Sequence, residues 1–156
     1  MNQRELDNAL SDCVKQGNLQ KVKKAIKQGA NVHTDNDQAL CMAVLCGHIE
    51  IVKYLVDQGA NIHVLNNLVL RWAANYGHLE IVKYLVKHGA NIHAENEEAL
   101  RWAAQCGHLE VVKYLVKQGA DIHANNSAPL RWAKENNHHD VVEYLTRPKL
   151  STLLEE

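Results

Sequence analysis

Glycine recurs in this chain with a fixed period. Gly47, Gly77 and Gly107 stand 30 residues apart, and Gly59, Gly89 and Gly119 keep the same interval. Residues 100–119, LRWAAQCGHLEVVKYLVKQG, show what lies between the glycines. Leu100, Ala103 and Ala104 fall at i, i+3 and i+4, the apolar face of a first helix, and Leu109, Val112, Leu115 and Val116 give a second helix its stripe. Gly107 and Gly119 suit the left-handed residue that ends a helix. Helices this short are marginal in water, because the first turn fixes many torsions for little return. Each pair therefore needs neighbours, and the chain is expected to fold as a stack of copies rather than around one central core.

The ends of the stack are written in the departures from the pattern. Residues 1–30 form a first copy without the connecting segment, in which Asp12, Lys21 and Lys24 stand where the next copy has Met42, Ile51 and Tyr54. Charge at positions that are apolar inside the stack predicts a capping repeat. Residues 31–120 are three internal copies, and 121–147 a last one, where Lys134, His139 and Thr146 replace Ala104, Leu109 and Val116. Asn137 replaces the helix-ending glycine and is the next best residue for a left-handed cap. The tail, 148–156, carries Leu150, Leu153 and Leu154 at helical spacing and is expected to add a short capping helix.

The spacing predicts first helices over 38–46, 68–76, 98–106 and 128–136, and second helices over 49–58, 79–88, 109–118 and 139–146. Asp37, Asn67, Glu97 and Ser127 fall where N-cap side chains belong. Each copy opens with an extended segment such as Asn61-Ile62-His63, followed by a polar link rich in Asn, Asp and Glu.

A formal net charge of -1 argues against sequence-independent nucleic-acid binding. The polar start MNQRELDNAL is unlike a signal peptide, and the apolar run 40–46 is far too short to span a bilayer. Cys13, Cys41, Cys46 and Cys106 form no CxxC pair, which reads as reduced thiols in a cytoplasmic protein. No membrane, nucleic-acid or small-molecule partner and no cofactor is expected.

The segment Gly107-His108-Leu109-Glu110-Val111-Val112-Lys113-Tyr114-Leu115, followed by Gly119-Ala120-Asp121-Ile122-His123-Ala124, resembles the ankyrin repeat. The resemblance runs from about residue 5 to 147 and implies an all-α solenoid of five stacked helix-turn-helix repeats that binds a protein. Ankyrin repeats are usually three residues longer and open their first helix with Thr-Pro-Leu-His, a motif kept only in part here as Ala128-Pro129-Leu130-Arg131. The missing residues are expected to shorten the hairpin links. Copies of the Leu-Arg-Trp-Ala-Ala form with this short period look like the ankyrin proteins of giant DNA viruses. A consensus-designed ankyrin scaffold is the other source of so regular a pattern.

Ten histidines fall mainly into two ladders, His33/His63/His93/His123 and His48/His78/His108/His138. Stacked helices sit about 8–10 Å apart, too far for ladder members to share a zinc ion with bonds near ~2 Å. Local hydrogen bonding inherited with the repeat is the plainer reading. Trp72, Trp102 and Trp132 are expected in the core, and Arg71, Arg101 and Arg131 are expected to bridge to acidic residues of an adjacent link. No phosphate loop, HExxH or Ser/His/Asp set stands out, and a ladder presents one group per layer rather than a converging site. The sequence therefore points away from an enzyme.

In ankyrin-like stacks partners bind the concave face, made by the links and the ends of the first helices. Those are also the positions that differ most between these copies. The expected partner-binding residues are Leu45, Cys46, Leu65, Leu68, Asn75, Tyr76, Glu95, Glu97, Gln105, Cys106 and Glu135, with Leu45, Leu65, Leu68 and Tyr76 as an apolar centre. The expectation is a monomeric, non-enzymatic protein-interaction scaffold, viral and aimed at a host factor. A self-associating virion or particle component is the alternative.

Overall fold

The computed structural model describes residues 2–147. They form ten helices in five pairs: α1 (Gln3–Lys15) with α2 (Leu19–Lys27), α3 (Thr34–Leu45) with α4 (Ile49–Asp57), α5 (Val64–Asn75) with α6 (Leu79–Lys87), α7 (Ala94–Gln105) with α8 (Leu109–Lys117), and α9 (Ala124–Glu135) with α10 (His139–Thr146). No strand occurs among the described residues. The proposed capping helix of the tail lies outside them.

Among the described residues each pair packs chiefly on the pairs before and after it. First helices touch in the series α1, α3, α5, α7, α9, and second helices in the series α2, α4, α6, α8, α10. Alanines at 73, 74, 103 and 104, all fully buried, let the first helices approach closely. The second helices touch each other far less, leaving open grooves such as the one lined by Ile49, Lys53, Glu80 and Tyr84. A stack with one tight row and one splayed row bends toward the tight one. The core between the rows is a repeated set: Leu40, Val44, Val52 and Leu55 recur as Leu70, Ala74, Val82 and Leu85, then as Leu100, Ala104, Val112 and Leu115.

The turn inside each pair explains the Gly-His signature. Gly47 ends its helix at φ 75°, donating to Val44 while His48 N–H donates to Ala43 at 2.9 Å, the paired bonds that close a helix C-terminus on a left-handed residue. The following histidine looks backward along the stack. His108 Nε2–H donates to the Asn75 carbonyl of the preceding pair at 2.9 Å, and its ring covers Gly77. His48, His78 and His138 do the same to Lys15, Leu45 and Gln105. In the first described pair Asn18 stands at this position, capping its own helix through Lys21 N–H.

The links depart from the expected N-caps. Each contains three consecutive residues with left-handed backbone: 35–37, 65–67, 95–97 and 125–127, with φ between 46° and 62°. Right-handed helix begins only after them. N-cap residues are normally extended and bond their own helix, whereas none of these side chains does. Asn, which with Asp tolerates this region best, sits at the centre of all four links as Asn36, Asn66, Asn96 and Asn126. One left-handed turn thus takes the place of a hairpin.

Candidate functional site

The links are tied together by a chain of hydrogen bonds down one edge of the stack. Asp7 on α1 accepts from Asn31 N–H at 2.8 Å. Asn31 Oδ1 accepts from His33 N–H at 2.9 Å, two residues on, as short polar side chains in turns do. The His33 ring donates to Asp37 at 3.0 Å, and Asp37 accepts from Asn61 N–H at 3.1 Å. The pattern repeats through His63, Asn67 and the N–H of Asn91, at 3.1 and 2.9 Å. It stops at Glu97, which the ring of His93 reaches. No bond joins Glu97 to Asp121 N–H, and its Oε2 is buried without a partner among the described residues. Glutamate is one methylene longer than the Asp and Asn that complete this contact in the two preceding links.

Asp7 belongs to this series at the same 30-residue interval, a register that marks it although it lies within the first helix rather than in a link. Its carboxyl is held below the ordinary carboxylate range, first by the Asn31 N–H, with burial opposing and the bonds from Thr34 and Gln3 adding smaller contributions.

The arginines secure the left-handed turns from below. Arg101 donates to the carbonyls of Glu95 and Asn96 at 2.8 and 2.9 Å, Arg71 to that of Leu65 at 2.9 Å, and Arg131 to that of Asn126 at 3.2 Å. Of the expected bridges to acidic residues, Arg71 with Glu98 is the one that forms among the described residues. In the second pair Cys41 holds the arginine position, and its thiol points at the Asn36 carbonyl at 3.9 Å. Burial, aided by the charge of Asp37, pushes that thiol up to about 11, so it stays protonated and unreactive. The tryptophans are half-buried rather than fully in the core. Arg71 lies over Trp102 at 5.9 Å and Arg101 over Trp132 at 5.2 Å, each arginine reaching the ring of the next repeat.

The expected partner-binding residues divide between the two ends of the first helices. At the link end, Leu65 is 55% exposed, Glu95 is exposed and Leu68 is half-buried. Asn66 Nδ2 donates to Glu95, joining two links. At the other end, Cys46, Tyr76, Gln105, Cys106 and Glu135 are exposed and Leu45 and Asn75 half-buried, with Cys106 Sγ against Asn75 Oδ1 at 3.4 Å. Tyr76, 53% exposed, stacks on His78 with ring centroids 6.2 Å apart. The eight steps from Leu68 to Tyr76 span about 12 Å at the helical rise, so Leu65 and Tyr76 do not share one apolar centre. Glu97 departs furthest from expectation. It is only 5% exposed, turned into the link rather than outward to a partner. Among the described residues no three His, Cys, Asp or Glu side chains are placed to hold a metal ion, and no helix is long and apolar enough to cross a membrane.

Helix pairs that lean on their neighbours, hold them by backward-facing histidines and present one polar edge define an α-solenoid. The family model for ankyrin repeats (three copies) matches residues 10–96 and again 70–152, and the chain belongs to the ankyrin-repeat family. Ankyrin repeats generally mediate protein–protein interaction. None of the curated proteins compared with the chain matches it.

Proposed function

We propose that this chain is a non-enzymatic scaffold that binds a partner protein on the concave side of the stack, through the links and the exposed ends of the first helices. One observation carries the reading. Leu65 and Tyr76 are the large apolar side chains that stand more than half exposed among the described residues, and both occupy positions that vary from copy to copy. The packing positions between the helix rows, such as Leu40, Leu70 and Leu100 or Leu55, Leu85 and Leu115, hardly vary by contrast. Side chains that vary and face water are free to carry specificity. The likeness of the Leu-Arg-Trp-Ala-Ala copies to giant-virus ankyrin proteins supports a viral protein acting on a host factor in the cytoplasm.

The test is capture of the natural partner from host cytosol by wild type and by the double variant Leu65→Glu with Tyr76→Glu, with helicity followed by circular dichroism. Glu95 occupies the position equivalent to Leu65, so glutamate is compatible with that backbone. Loss of capture with helicity intact is the expected result. Undiminished capture by the folded double variant places the site elsewhere.

A further inference from the structure

Leu65 is at odds with its own backbone. At φ 46° and ψ 50° it occupies the left-handed region, where a bulky side chain is disfavoured. The other three links place Asp35, Glu95 and Asn125 there, so the turn itself does not call for leucine. Nor does the monomer bury it fully, since 55% of the residue remains exposed. Strain kept for so partial a return inside the fold is found at functional sites, ligand contacts among them.

The surroundings of Leu65 indicate what would cover it. Asp35 and Glu95 flank it on the neighbouring links, both exposed, and no cation pairs with either among the described residues. Arg71 beneath it is engaged by Glu98 and the Leu65 carbonyl, and Arg101 by the carbonyls of Glu95 and Asn96. An apolar side chain between two carboxylates that carry no cation, one of them accepting only from the Asn66 amide, complements an apolar side chain between two cations.

We propose that the link edge centred on Leu65 docks a cationic segment of the partner protein, with one large apolar side chain on Leu65 and Lys or Arg on Asp35 and Glu95. The proposal rests on the protein-binding reading above. Neighbouring repeats lie about 8–10 Å apart, and an extended chain advances about 3.3 Å per residue. The basic residues therefore fall about three positions before and after the apolar one.

A displayed library of random dodecapeptides selected against the full chain, followed by fluorescence anisotropy with the enriched peptides, tests this. The expected peptides carry a large apolar residue with Lys or Arg about three positions to each side. Their affinity drops about tenfold or more in Leu65→Asn, and likewise in Asp35→Lys with Glu95→Lys, while Leu65→Asn raises the thermal midpoint by relieving the backbone. Neutral or acidic enriched peptides, undiminished binding to Leu65→Asn, or no enrichment at all would overturn the assignment. So would a concentration-dependent mass abolished by Leu65→Asn, which makes a second copy the occupant. Peptides that bind but depend on Tyr76 and not on Leu65 overturn this assignment and leave the wider protein-binding face standing. Undiminished capture by the Leu65→Glu/Tyr76→Glu variant strikes the wider reading itself.

Discussion

The ring of His108 lies so close over Gly77 of the preceding repeat that a β-carbon at position 77 would come within 2.6 Å of Nδ1. Gly77 is also left-handed, at φ 74°. Two demands, one on the backbone and one from the next repeat, thus fall on one residue. Asn137 shows them separated. It holds the same left-handed turn at φ 61°, no histidine of a following pair lies over it among the described residues, and there a side chain is tolerated.

Gly77→Ala is accordingly expected to destabilise more than the left-handed backbone alone, which costs about 1–2 kcal/mol. His108→Ala removes the ring and its hydrogen bond to Asn75, a loss of about 1 kcal/mol. Because the ring is what an alanine at 77 would strike, the double variant should lose less than the sum of the two, by about 0.5–3 kcal/mol. Urea unfolding of the four proteins measures this, and strict additivity would show that the contact carries no coupling.

Glu97→Asn is expected to stabilise the protein. It removes a buried oxygen without a partner and installs the side chain that, as Asn67, accepts both the link histidine and the next link's N–H. A gain of about 1 kcal/mol in urea unfolding is in the range of one buried hydrogen bond made good. A loss would mean that Glu97 Oε2 already has a partner.

The acid limb of the stability profile should contain Asp7. Its native pKa is depressed, chiefly by the Asn31 N–H. A depressed carboxyl contributes stability that is fully present above its unfolded value, about 3.9, and that is lost as pH falls through the lower native value. Asp7→Asn keeps an acceptor oxygen without the titration. Its stability should fall less steeply than wild type below about pH 4, read from urea midpoints at successive pH values. Parallel slopes would remove Asp7 from the acid response.

The helix pairs were legible because packing repeats: Leu40, Leu70 and Leu100 mark the core in each copy, and the glycines mark the turns. The right-handed parts of the helices fall within a residue of the expected bounds. The links were less legible. Asn and Asp before a helix serve equally as N-caps and as left-handed residues, and only the run of three, with Asn at its centre each time, hints at the second. The arginines read as ion-bridge formers because a charged side chain suggests a charged partner, yet Arg101 and Arg131 grip carbonyl oxygens that no sequence displays. Exposure of Leu65 and Tyr76 could be inferred from their variation between copies. Burial of Glu97 could not, because Asp, Asn, Glu and Ser all vary freely while each supplies an acceptor oxygen.

Excision of residues 61–90, one whole copy, tests most directly whether each repeat is held by its neighbours alone. The cut keeps the 30-residue register, bringing Asp37 to the N–H of Asn91 and His108 over Gly47. The account predicts a shortened chain that unfolds in one cooperative step, with wild-type helicity per residue and lower stability, as nearest-neighbour stacks do. A shortened chain without a cooperative transition would contradict it.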